Sequence, residues 1–155
     1  MIRDGKREGI HDFVKQIHDA GLLAGVSTHN PDHLALVEDS GWENDFYMAC
    51  FYNLTRSSGE IRKLVAEDTI GGYLFFKDDP PRMARRIRQL GKPCLAFKIL
   101  GAGCLCGDRS SVEQAFEFAY ANIKPSDAVI VGMYPVFADE IQENAGLARK
   151  YGKPA

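Results

Sequence analysis

The chain has 155 residues, 45% of them apolar and 26% charged, with a net charge of −2. That is one ordinary domain with enough apolar mass for a core. Basic and acidic residues are interspersed, which argues against nucleic-acid or membrane-surface binding, and no apolar run approaches the ~20 residues needed to span a bilayer.

The first predicted helix is "GIHDFVKQIHDAG", with Ile10, Phe13, Val14 and Ile17 on one face and Gly21 as its stop. "LLAGVS" follows as a short buried strand. "NPDHLALVEDSG" is a helix with Asn30 as N-cap, Pro31 at the first helical position, Asp32 in the first turn and Gly41 at its end. "DFYMACFYN" is an aromatic-rich strand. Residues 54–80 are irregular, with a short helix in "TRSSGEIRKLVAED" and a short extended piece in "GGYLFFKDDPP". Regularity returns with the helix "PRMARRIRQLG", whose Met83, Ile87 and Leu90 form an apolar stripe and whose arginines line a solvated face. The strand "CLAFKIL", the helix "SVEQAFEFAYANI", the strand "AVIVGM" and the helix "FADEIQENAGLARKYG" complete the order.

Four nearly continuously apolar strands, each followed by a helical segment, specify an α/β fold with a parallel sheet covered by helices. Right-handed crossovers leave an open doubly wound sheet or part of a (β/α)8 barrel. In "CLAFKIL", alternation puts Leu95, Phe97 and Ile99 on one face and Ala96, Lys98 and Leu100 on the other. A large-apolar face for helices and a mixed face for an interior favour the barrel. Gly25, Ser27 and His29 share the corresponding mixed face. A full barrel takes ~250 residues. The expectation is therefore one domain over residues 1–155, a (β/α)4 half of a TIM-type barrel and a fragment of a longer (β/α)8 chain. Its free edges call for a missing half or for a homodimer that closes the barrel.

Barrel chemistry sits at the carboxyl ends of the strands. Lys98, followed by glycine, is a candidate catalytic residue there. Its ammonium can pair with a carboxylate, bind an anion or form a Schiff base with a carbonyl. His29 joins it at the end of the first strand, beside the amino terminus of the helix beginning at Pro31. His29 and His33 do not share a helical face as a zinc pair would, so no metal is expected. His33 reads as a solvated residue of the first helical turn. "GAGCLCGDRSS" is a flexible loop whose amides can approach a phosphate. Asp139, Glu140 and Glu143 read as a solvated helix face. The four cysteines, Cys50, Cys94, Cys104 and Cys106, show no C-x-x-C pair. The amino terminus, "MIRDGKREGI", has no apolar signal core, so reduced thiols in a cytoplasmic protein are expected.

These segments resemble the aldo/keto reductases. "GVSTHN" is similar to that family's fifth-strand "GVSNFN", "AFKILGAG" to its seventh-strand "AYSPLGRG", and "VGM…EIQENAGLA" to its last strand and helix. The resemblance covers most of this chain but only the carboxyl-terminal half of that barrel. It implies an NAD(P)-binding half. Ser27 would lie near the nicotinamide carboxamide, Leu100, Gly101 and Gly103 would line the pyrophosphate loop, and Gly132, Met133, Glu143 and Asn144 would form the adenosine end. The departures are Thr28 for the asparagine after the serine, Ala49 near the absent glutamine, and Lys98 for the seventh-strand serine. Glu140 stands where many members place an arginine, which weakens NADP in particular. The family's catalytic tetrad belongs to the other half, so this chain alone is not expected to reduce carbonyls. Two alternatives accompany this reading. One is a lyase or aldolase that uses Lys98 on a carbonyl ligand, and the other is a non-catalytic partial barrel that binds a small anion.

Overall fold

The computed structural model describes residues 5–64 and 74–152. The elements run α1 (Glu8–Asp19), β1 (Gly25–Thr28), α2 (Pro31–Asp39), β2 (Phe46–Cys50), α3 (Ser58–Leu64), α4 (Asp79–Ile87), β3 (Cys94–Phe97), a 3₁₀ turn (Gly101–Gly103), α5 (Arg109–Asn122), β4 (Ala128–Ile130) and α6 (Glu140–Tyr151). The four strands form one all-parallel sheet in the order β1-β2-β3-β4.

That order explains the layers. Crossovers of one hand that always step the same way put their helices on the same face of the sheet. Helix α2 packs on β1 and β2, α4 packs on β2, and the pairs α2–α4, α4–α5 and α5–α6 follow in series. Beneath them the sheet contributes Val26, Thr28, Tyr47, Ala49, Cys94 and Ala96, all buried. Met83, Ile87 and Leu90 are buried as their stripe predicts, and each large apolar side chain so placed contributes ~1.5–3 kcal/mol. Asn30 caps α2 by accepting from the Asp32 amide, with Pro31 at the first position, as the sequence predicts.

Two aspartates tie the amino ends of the strands in pairs. Asp45, just before β2, accepts from the Ala24 amide at 2.7 Å and from His18 Nε2 at 2.8 Å. Those two hydrogen bonds hold the Asp45 carboxyl below its ordinary range, the one from His18 acting most strongly. Asp127, just before β4, accepts from the Cys94 amide at 2.8 Å and from Lys124. A third carboxylate anchors the long connection. Asp79, at the start of α4, pairs with Arg56 and accepts from the Asn53 amide, both side chains being almost completely buried.

Several predicted features are corrected by the fold. In β3 the faces are the reverse of the expectation. Cys94 and Ala96 lie under the helices, while Leu95 and Phe97 stand half-buried on the other face beside Met48 and Cys50, their register partners. Small side chains let the helix layer approach closely, so the large ones project the other way. Strand β3 ends at Phe97, so strand alternation does not orient Lys98. Leu22 and Leu23, assigned to the first strand, precede it and are exposed, as is Phe13 of α1. Residues 65–73 of the irregular stretch lie outside the described residues.

Candidate functional site

The carboxyl ends of the strands carry two adjoining features. The first is a polar cluster over β1 to β3. Lys98 adopts φ 59°, a left-handed conformation that costs a residue with a Cβ of order 1 kcal/mol. The turn that follows is left-handed too, at Gly101 (56°), Ala102 (51°) and Gly103 (95°). This sharp reversal aims the Lys98 ammonium over the Phe75 ring, 5.9 Å from its centroid. His29 stands edge-on to Phe97, with ring centroids 5.2 Å apart. Its Nδ1 is buried and has no hydrogen-bond partner among the described residues. Burial, and then the positive charge of Lys98, lower the His29 pKa and favour neutral imidazole. Burial pushes the Cys50 thiol up to about 11, with Lys98 pulling weakly the other way. Lys98 therefore bears on both His29 and Cys50 at the rim.

The second feature is a cleft of about 530 Å³ between the ends of β3 and β4. Phe97, Lys98, Ile99, Leu100, Ala102 and Gly103 form one side, and Ile130, Val131, Gly132, Met133 and Tyr134 the other. Cys106 and Glu140 complete it. Glu140 lies in the first turn of α6 and accepts from the Tyr134 amide at 2.6 Å, which bends the β4–α6 connection around the cleft. Burial, then Glu140, raises the Cys106 thiol. Lys98 belongs to both features and joins them.

The sequence-derived residues are distributed unevenly over this surface. Lys98, Leu100, Gly103, Gly132 and Met133 meet in the cleft, and Gly101 is buried within its 3₁₀ turn. Ser27 is exposed on the face of β1 that the helices leave uncovered, in register with Met48. Glu143 and Asn144 do not line the cleft. Glu143 borders a separate groove between α5 and α6, 3.7 Å from Arg109. Glu140, read from the sequence as part of a solvated helix face, lines the cleft instead, and sequence reasoning passed over the Tyr134 wall, which lies in a connection with no periodic pattern. His33 is half-buried, its Nδ1 3.4 Å from Thr28 Oγ1, so the fully solvated placement expected for it is corrected.

The donors available to a nucleotide are limited. In the glycine turn the amides of Gly101, Gly103, Cys104, Leu105 and Cys106 donate to carbonyls of the same turn. Five amides of the turn are thereby engaged within it. The cleft also holds the Lys98 ammonium, the Glu140 carboxylate and the Cys106 thiol among largely apolar walls. A Cβ at Gly103 or Gly132 would meet no heavy atom within 4 Å, so these glycines leave space beside the cleft. Among the described residues no cluster of His, Cys, Asp or Glu is arranged to hold a metal ion, and no helix is long and apolar enough to cross a membrane. Comparison with protein-family models, curated proteins and solved structures finds no match.

Proposed function

We propose that this chain is the cofactor-binding half of an NAD(P)-dependent oxidoreductase built on an eight-stranded parallel barrel of the aldo/keto reductase kind. The observation that carries the reading is the cleft. Residues that the resemblance assigned to a dinucleotide, Leu100, Gly103, Gly132 and Met133, line one concave surface at the carboxyl ends of adjacent parallel strands, where barrel enzymes bind ligands. Lys98 links that surface to the rim over β1 to β3, so an extended ligand can run from His29 and Lys98 outward past the two glycines to Glu140.

Each group has a distinct task in this reading. Lys98 supplies the positive charge for a phosphate, Glu140 accepts from ribose hydroxyls and disfavours a 2′-phosphate, and Met133 and Tyr134 flank a ring. A bound nicotinamide would supply hydride chemistry. Neutral His29, with a buried nitrogen open to a donor, would orient whatever polar group reaches the rim.

NADH at millimolar concentration is expected to raise the melting temperature of the 155-residue chain, with NADPH less effective, because a ligand that binds only the folded state stabilises it by mass action. Lys98→Ala should remove most of the shift. Equal and negligible responses to NADH and NADPH would contradict the proposal. A second reading rests on the left-handed backbone at Lys98. A strained residue is retained where its side chain has a function, and a lysine amine beside an apolar cleft can condense with a carbonyl and release water. Borohydride trapping of a simple aldehyde or ketone on the chain, abolished in Lys98→Ala, would favour that reading over the first.

A further inference from the structure

We propose that two copies of this chain associate about a two-fold axis, each supplying four strands to one closed eight-stranded barrel. This rests on the half-barrel reading above and adds the identity of the partner. The first argument is the uncovered face of the sheet. Its side chains, Ser27, Phe46, Met48, Leu95, Phe97 and Ile130, carry no charge. A sheet face meant for water alternates to polar residues, whereas a parallel sheet is buried on both faces. Ile130 is 42% exposed, and Ser27 is exposed as well. Among the described residues no helix packs on this face.

The second argument is the edges. Among the described residues, strands β1 and β4 each pair on one side only. In the half-barrel reading, one half-turn about the barrel axis brings β4 of one copy parallel to β1 of the other. The same operation joins the remaining two edges, so a single symmetry element satisfies all of them with eight strands, the number in this barrel type. A different partner would need the same four-stranded curvature and two matching edges of its own.

The third argument is apolar area. Leu22 and Leu23 stand directly before the β1 edge, and Met133, Val136 and Phe137 directly after β4, Phe137 being 90% exposed. Together with the uncovered face they flank both edges with exposed apolar side chains that a second copy would cover. The interior would also fill. Small residues at 25, 27 and 128 alternate with the large ones, and a Cβ at Gly25 would collide with the Phe46 ring that lies across it. Barrel interiors of this size are packed by such side chains.

The test is sedimentation equilibrium and native mass spectrometry of the full chain without nucleotide, from low to high micromolar concentration. The expected species has twice the 17.2 kDa chain mass. Phe137→Ser removes an exposed side chain that a single copy does not need for folding, and it should weaken association at least about tenfold. Leu95→Asp should give a folded monomer by circular dichroism. A strict monomer, an open-ended series of larger species, or a dimer indifferent to both substitutions would overturn the proposal. So would a chain that associates only with a different four-stranded unit. A dimer that ignores NADH would leave this proposal standing while sinking the cofactor reading, and a monomer that binds NADH would do the reverse.

Discussion

The two faces of the sheet are equally poor in charge and differ sharply in cover. On one, Tyr47, Ala49, Cys94 and Ala96 lie beneath a continuous layer of helices and are almost fully buried. On the other, Met48, Leu95 and Phe97 are only half-buried and Ser27 and Ala128 are exposed. Both faces have an interior's composition, but only one has an interior's surroundings. The difference teaches that the covered side holds this chain together, and the dimer proposal assigns the uncovered side to a second copy.

The largest expected effect tests the covered side. Asp79→Ala leaves the Arg56 guanidinium buried without its carboxylate and unties the Asn53 amide, so urea denaturation should register a loss of ~3–5 kcal/mol. Next comes a pair of neighbouring residues on opposite faces. Ala96→Leu overpacks the helix layer and should lower stability by ~1–3 kcal/mol at every protein concentration. Leu95→Ala should matter little in dilute protein and more as concentration rises, because in the proposed dimer its partners belong to the other copy. Equal, concentration-independent losses at both positions would erase the distinction between the faces.

Much of the covered side was legible in the sequence. Asn30, Pro31 and Asp32 announce a helix start through local hydrogen bonding, and the Met83, Ile87 and Leu90 stripe announces a buried face through spacing. Parallel pairing followed from strands apolar on both sides. That same feature hid the orientation of β3. With no charge on either face, alternation carries no sign, and the larger side chains were assigned to the helices when the helices in fact pack on Ala96. Leu22, Leu23 and Phe13 misled for a related reason, since apolar character alone does not tell an exposed position from a buried one. In the site, glycine positions and Lys98 were readable. The left-handed backbone at Lys98 was not, because a non-glycine residue gives no sign of positive φ. The pairing of amides within the glycine turn was hidden too, because it depends on where those amides point.

Lys98 offers a smaller and more pointed test. Lys98→Gly removes the Cβ conflict of the left-handed backbone and should raise stability by ~1 kcal/mol while abolishing the response to NADH. A change that stabilises the fold and removes binding separates a functional lysine from a structural one. The smallest effect concerns His29. Its folded-state pKa lies below the ordinary value because burial, then Lys98, disfavours the cation. The unfolded chain therefore takes up the proton first, and stability should fall as pH drops below ~6.5. Above that value the residue is neutral in both states and the loss is absent. His29→Asn should flatten this part of the stability–pH profile, followed by thermal melts across the acid range.

Hydrogen exchange at the sheet edges tests the two-faced account most directly, read amide by amide over Gly25–Thr28 and Ala128–Ile130 at high micromolar protein. If the uncovered face lies inside a closed barrel, the outward-pointing edge amides should be protected nearly as strongly as those of β2 and β3, and dilution should release them. Fast, concentration-independent exchange at both edges would contradict the account.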